Sequence, residues 1–115
     1  MSMQPEPVPP IVTCDNGDVM LYPSIGEAEL GVDAVDVRDG VYEVFDSVGH
    51  RLSIDAEGEK VWIGLNRELG SDEDELANRL RQFVRRVGAE RIDMSSPENA
   101  DLGELIGTLR RFFRV

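Results

Sequence analysis

Trp62, Phe45 and the acids Glu43, Asp55, Glu57 and Glu59 make the pattern with the clearest chemical meaning in this 115-residue chain. An aromatic centre offers apolar contact to a partner protein, and a rim of carboxylates steers a basic partner toward it. The other patterns that could do chemistry are incomplete. His50 is the one histidine and Cys14 the one cysteine, so neither a histidine pair nor a cysteine cluster exists to hold zinc. The lone cysteine also excludes a disulfide within the chain. Asp15-Asn16-Gly17-Asp18 has the outline of a calcium loop, but alignment on Gly17 puts Val12 where the first carboxylate belongs. Gly26 and Gly31 are isolated, and Lys60, the only lysine, stands in no glycine-rich phosphate motif.

Carboxylates are plentiful, and Asp33, Asp36, Asp39, Glu43 and Asp46 lie close in sequence. A pair of them in a crevice would suit acid–base catalysis, which needs desolvation beside a substrate. Turns and strand ends keep such groups solvated, so the enzymatic reading ranks below the binding one. His50 follows Gly49 in a turn, where an exposed imidazole is the ordinary outcome. Arg79, Arg81, Arg85 and Arg86, with Arg110, Arg111 and Arg114, have the charge to hold phosphate. The aromatics among them, Phe83, Phe112 and Phe113, belong to the apolar stripes of the helices, and acids one turn earlier, such as Glu75 before Arg79, offer partners. We therefore expect no metal, no cofactor and no nucleic acid.

Charge is unevenly spread. Residues 1–75 hold 18 acidic against 4 basic side chains, a balance of −14, while residues 76–115 hold 5 against 8, a balance of +3. Such a field repels phosphate backbones and anionic lipid and draws a basic partner to the first part of the chain. No stretch approaches the ~20 apolar residues of a membrane span, and residues 1–10 lack the basic and apolar regions of a signal peptide. With one cysteine, a cytoplasmic chain is expected, as a monomer or weak homodimer.

Elements must place these residues. Prolines at 5, 7, 9 and 10 make residues 1–10 a flexible leader, and residues 11–115 a single α+β domain. Asn16-Gly17 between Ile11–Asp15 and Asp18–Tyr22 predicts a type I′ hairpin. Ser24-Ile25-Gly26-Glu27 has capping-box form and opens a short helix near 25–30. Asp39-Gly40 repeats the turn signal between Ala34–Arg38 and Val41–Asp46. With Arg51–Asp55 and Lys60–Leu65 these segments read as a four-stranded meander.

Ser71 followed by four acids predicts a helix over 72–88, its stripe made by Leu76, Leu80, Phe83, Val84 and Val87. Glu90–Met94 reads as a short strand. Ser96-Pro97 predicts a cap and first-turn proline for a helix over 97–113. The fold expected is a mainly antiparallel sheet of four to six strands with both C-terminal helices on one face. If those helices cover Val61, Ile63 and Leu65, then Trp62, Phe45 and Val41 lie on the free face. The alternative leaves Trp62 in the core, under the N-terminal hairpin or the third helix. The expected core is Leu76, Leu80, Phe83, Val84, Ile63, Leu65, Leu109 and Phe112.

The two turn pairs, the acidic strand region and the missing catalytic residues resemble the small acidic immunity proteins of bacterial polymorphic toxin systems. That resemblance implies a non-enzymatic inhibitor that occupies a basic protein partner. An adaptor or assembly subunit is the rival reading, and a small enzyme with an Asp/Glu pair stands behind both.

Overall fold

In the computed structural model, which describes residues 6–115, Asn16 and Gly17 take φ of 46° and 96°. They join β1 (Ile11–Asp15) to β2 (Asp18–Tyr22) in the expected hairpin. Ser24 caps α1 (Ile25–Gly31), its hydroxyl accepting from the Glu27 N–H. The second turn pair acts differently. Asp33 accepts from the N–H groups of Val35 and Asp36 and so starts a helix, α2 (Ala34–Arg38), where a strand was predicted. Asp39-Gly40 is then the end of that helix, with Gly40 at φ 73°, the left-handed conformation that commonly follows a last turn. An aspartate N-cap outweighs the strand pattern of Ala34–Arg38 because it satisfies two donors that the helix start would leave free.

The sheet closes with β3 (Glu43–Phe45), β4 (Arg51–Glu57) and β5 (Lys60–Leu65). Its five described strands run antiparallel in the order β2-β1-β3-β4-β5. Asp72, one residue past the predicted serine, caps α3 (Glu73–Val87) by accepting from the Glu75 N–H. Glu90–Met94, expected to extend as a strand, does not: Ala89–Ile92 forms the single turn α4. Pro97–Asn99 is a short 3-10 turn, and the last helix, α5 (Leu102–Phe113), starts instead on Asp101, which accepts from the Glu104 N–H. At α3 and α5 an aspartate outcompetes a serine, since its carboxylate is the stronger acceptor for orphan helix donors, whereas α4 starts on Gly88 without a side-chain cap.

Helices lie on both faces of the sheet. Val12, Cys14, Val19, Leu21 and Phe45 pack with Leu76, Leu80, Phe83 and Val84 of α3 and Leu105 and Leu109 of α5. On the opposite face Ile11, Val44, Leu52, Val61 and Ile63 pack with Ala28 of α1 and with Val32 and Val37. The C-terminal helices do share one face, as expected, but it is not the face of Val61, Ile63 and Leu65. Ile63 and Leu65 therefore belong to the second cluster, and Phe112 is exposed rather than core. The short helix near 25–30 was expected and the one over Ala34–Arg38 was not, and together α1 and α2 fill the place assigned to α3 and α5.

Candidate functional site

Register fixes which side chains share a face. Val12 stands opposite Phe45, Phe45 opposite Arg51, and Asp55 opposite Trp62, so with the strand period of two all lie on the α3 side of the sheet. That face is roofed over β2, β1 and β3 only. Above β4 and β5 Trp62 is 42% exposed, with Lys60 Nζ 5.2 Å from its ring centroid. Asp55, Glu57 and Glu59 are exposed. Gly64 confirms the opening: a Cβ built there meets no described atom within 4 Å. Trp62, Asp55 and Glu57 thus share one open face, while Glu59 lies in the β4–β5 turn and lines a groove with Gly26, Glu29 and Leu30 of α1.

The structure removes Phe45 from that surface. Its side chain is fully buried, under the α3 roof, with the Arg51 guanidinium 5.0 Å from its ring. A strand pattern tells which face a residue is on and not how far across the sheet a helix reaches, so this residue could not be separated from Trp62 by alternation. Val41 precedes β3 and is half-buried.

Glu43 is exposed but committed to neighbours within the chain. Its carboxylate accepts from Arg79 at 2.7 Å and from Arg51 at 3.2 Å. Arg51 reaches on to Asp72 at 3.4 Å, and Arg79 Nε donates to Glu75 at 2.8 Å. The hydrogen bond to Glu75 moves the Arg79 guanidinium further above its usual range, against the opposing effect of burial. These five side chains form the wall between the roofed and the open half of the face. Elsewhere, the exposed Arg85–Glu98 and Arg86–Asp18 pairs take up two of the arginines considered for phosphate. The hydrogen bond from Arg85 is the main cause that lowers the Glu98 carboxyl below its ordinary value.

The sequence reading missed a polar knot beside this wall. Asp46 is completely buried. One carboxylate oxygen accepts from the backbone N–H of Val48 at 3.1 Å and of His50 at 2.9 Å. The other accepts from Val8 N–H at 3.1 Å and lies 2.8 Å from His50 Nδ1. His50 is therefore not the free turn imidazole that was expected. A carboxylate accepts, so Nδ1 donates and Nε2 is left facing outward. This is the orienting half of a catalytic dyad, yet among the described residues no hydroxyl or thiol hydrogen-bonds to the ring. Its evident work is to tie segments together. Ser47 N–H donates to Val8 O, Asp72 N–H to Gly49 O and Arg51 N–H to Gly70 O.

Gly49 has φ +96°, and a Cβ there would stand 2.8 Å from Glu73 Cγ and 2.9 Å from Glu73 Cα. Only glycine suits that approach of the loop to the start of α3. The expected loose leader lies partly outside the described residues, and from Val8 onward it is held by this knot. The Asp-x-x-Gly-His spacing of residues 46–50 was the available signal for it.

Cys14 is buried, and burial pushes its thiol up to about 12, with the Arg79 charge opposing. A protonated, covered thiol is a small apolar side chain and not a nucleophile. Among the described residues no group of acids, histidines and cysteines is arranged to hold a metal ion, and no helix is long and apolar enough to cross a membrane. Comparison of the chain with protein-family models, with curated proteins and with solved structures finds no match.

Proposed function

We propose that this chain is a protein-binding domain, an inhibitor of the immunity type, whose open β4–β5 face receives a basic protein. The observation that carries the reading is Trp62: a tryptophan 42% exposed on an uncovered sheet face, beside the carboxylates of Asp55 and Glu57, with Glu59 in the adjoining turn. Tryptophan is enriched among the residues that dominate interface energies, and surrounding charge sets encounter rate more than lifetime. Glu43 contributes through the wall it builds with Arg51 and Arg79, and Phe45 through the core. The reading places the protein in the cytoplasm, in keeping with its single cysteine. It requires no cofactor, and the partner's own activity is what binding would block.

The test is kinetic. A partner captured from the native host should be basic, and Trp62→Ala should weaken its binding by about 2 kcal/mol or more through faster dissociation. Glu57→Gln with Glu59→Gln should chiefly slow association and flatten its salt dependence. An acidic partner, or an association rate indifferent to salt, would overturn the steering argument. A captured partner whose activity is unaffected by saturating amounts of this protein would make it an adaptor and not an inhibitor.

A further inference from the structure

Of the two outer strands, β5 is covered at its edge: α1 packs along it, and Glu29 Oε2 accepts from the Ile63 N–H at 2.8 Å. β2, at the other end of the sheet, is bare on one face. Cys14, Val19 and Leu21 pack under α3 and α5, so alternation turns Thr13, Asp15, Asp18, Met20 and Tyr22 to the opposite face. There α1 and α2 cover Ile11 and Val44 but leave Met20 46% exposed. A cavity of about 330 Å³ opens at this place, within the size range of small-molecule sites. Thr13, 3% exposed, lies at its base. Tyr22 and Tyr42 line it, and Phe83 and Phe113 bound it from the side of α3 and α5.

The walls are short of positive charge. Asp15 and Asp18 stand directly opposite each other across the hairpin, and like charges so placed cost stability. Asp18 is relieved by Arg86 at 2.7 Å. Asp15, half-buried, has no ion-pair partner among the described residues. Burial chiefly raises the Tyr42 phenol, and the charges of Asp36, Asp15 and Asp33 raise it further. The Tyr22 ring is held in place by the end of α1, where a Cβ on Gly31 would stand 2.6 Å from the phenol oxygen. Only a residue without a side chain lets the ring lie there.

We infer that this cavity binds a small organic cation, an alkylguanidinium or primary alkylammonium, with its N–H groups on Asp15 and its charge against the rings of Tyr22 and Tyr42. The inference goes beyond the protein-binding reading, since the cavity lies on the other face of the sheet from Trp62 and at its other end. A carboxylate takes charge-assisted hydrogen bonds from such N–H groups, and phenol rings attract the same charge through their π faces. Met20, Phe83 and Phe113 give the aliphatic stem an apolar wall. A cation beside Asp15 also offsets its repulsion by Asp18, so binding draws on an unfavourable pair already built into the hairpin. The same group can arrive as a free molecule or on an arginine or lysine side chain of the basic partner.

Titration of the full chain with n-butylguanidinium, and with its neutral isostere n-butylurea, tests this. The cation should shift the Tyr22 and Tyr42 ring resonances, raise the melting temperature and leave Trp62 fluorescence unchanged. The urea should do none of these. Asp15→Asn should weaken cation binding about tenfold or more, as loss of a charge-assisted hydrogen bond implies. It should also raise the melting temperature of the protein alone, because it removes one of two opposed charges. Tyr22→Leu should weaken binding about fivefold, and Arg86→Gln should strengthen it by freeing Asp18. Equal responses to the cation and the urea, or equal cation affinity in wild type and Asp15→Asn, would overturn the inference. So would a cation that perturbs Trp62 and neither tyrosine, a result that leaves the Trp62 surface in place. A captured basic partner weakened by Asp15→Asn assigns the cation to its side chain. One indifferent to that change, with butylguanidinium still bound by the wild type, assigns the site to a free ligand. Absence of any basic partner would remove the protein-binding reading and leave this cavity as argued.

Discussion

Phe45 and Trp62 lie on the same face of one sheet, two strands apart, and one is sealed while the other meets solvent. Neither residue type nor alternation separates them. The difference is made by the return of the chain after β5: residues 66–72 cross back to the 46–50 loop, where Gly70 and Asp72 pair with Arg51 and Gly49. Helix α3 is therefore launched from the β3–β4 end and runs over β1 and β2. What covers a sheet face is decided by where a helix is anchored, and a binding surface is what the anchoring leaves bare.

Substitutions on the two halves should break or sharpen that contrast. Phe45→Ala removes a fully buried ring and should cost about 3 to 5 kcal/mol in urea unfolding. A loss below about 1 kcal/mol would mean that α3 does not seal the first half. Asp46→Ala leaves the Val8, Val48 and His50 N–H groups without their acceptor and should cost about 1 to 3 kcal/mol. It should also speed hydrogen exchange at Val8, which an anchor point at the boundary requires.

Alkaline titration probes the roofed half a third way. The Cys14 thiol is raised from 9.0 to about 12, so above pH 9 the unfolded chain gives up a proton that the folded chain keeps. That contribution to stability is complete below pH 9 and is lost as the pH climbs through 12. Cys14→Ala should flatten this limb without removing it, because burial also raises the Tyr22 and Tyr42 phenols. An unchanged slope would show that the thiol is reached by water. The smallest effect belongs to the open half: Trp62→Ala should cost about 1 kcal/mol or less in stability. A cost equal to that of Phe45→Ala would place Trp62 in the core and erase the proposed surface.

The fold class, the Asn16-Gly17 hairpin, β4, β5 and the α3 stripe were all legible because each rests on a local rule of period or turn chemistry. Trp62 and the acids beside it were legible for the same reason. Ala34–Arg38 was misread because its apolar residues suit a strand and a one-turn helix equally, and the decisive group, Asp33, lies just outside the pattern. The Glu43 bridge to Arg79 spans 36 residues, and the Val8 bond to Asp46 spans 38. Contacts at such separations leave no periodic trace. Neither does the Glu29 reach across the edge of β5, which depends on how α1 packs.

The two apolar clusters that flank the sheet are completed at different times during synthesis. The one holding Ile11, Val44 and Ile63 has its last member, Leu65, well before the chain is finished, whereas the one holding Phe45 and Cys14 waits for Leu76 through Leu109. At the ~5 to 20 residues per second of translation, the interval between Leu65 and Leu109 lasts roughly 2 to 9 s. Through that interval Val12, Cys14, Leu21 and Phe45 have no roof. The nascent chain thus shows its ribosome-bound neighbours a hydrophobic sheet face that the finished protein never displays.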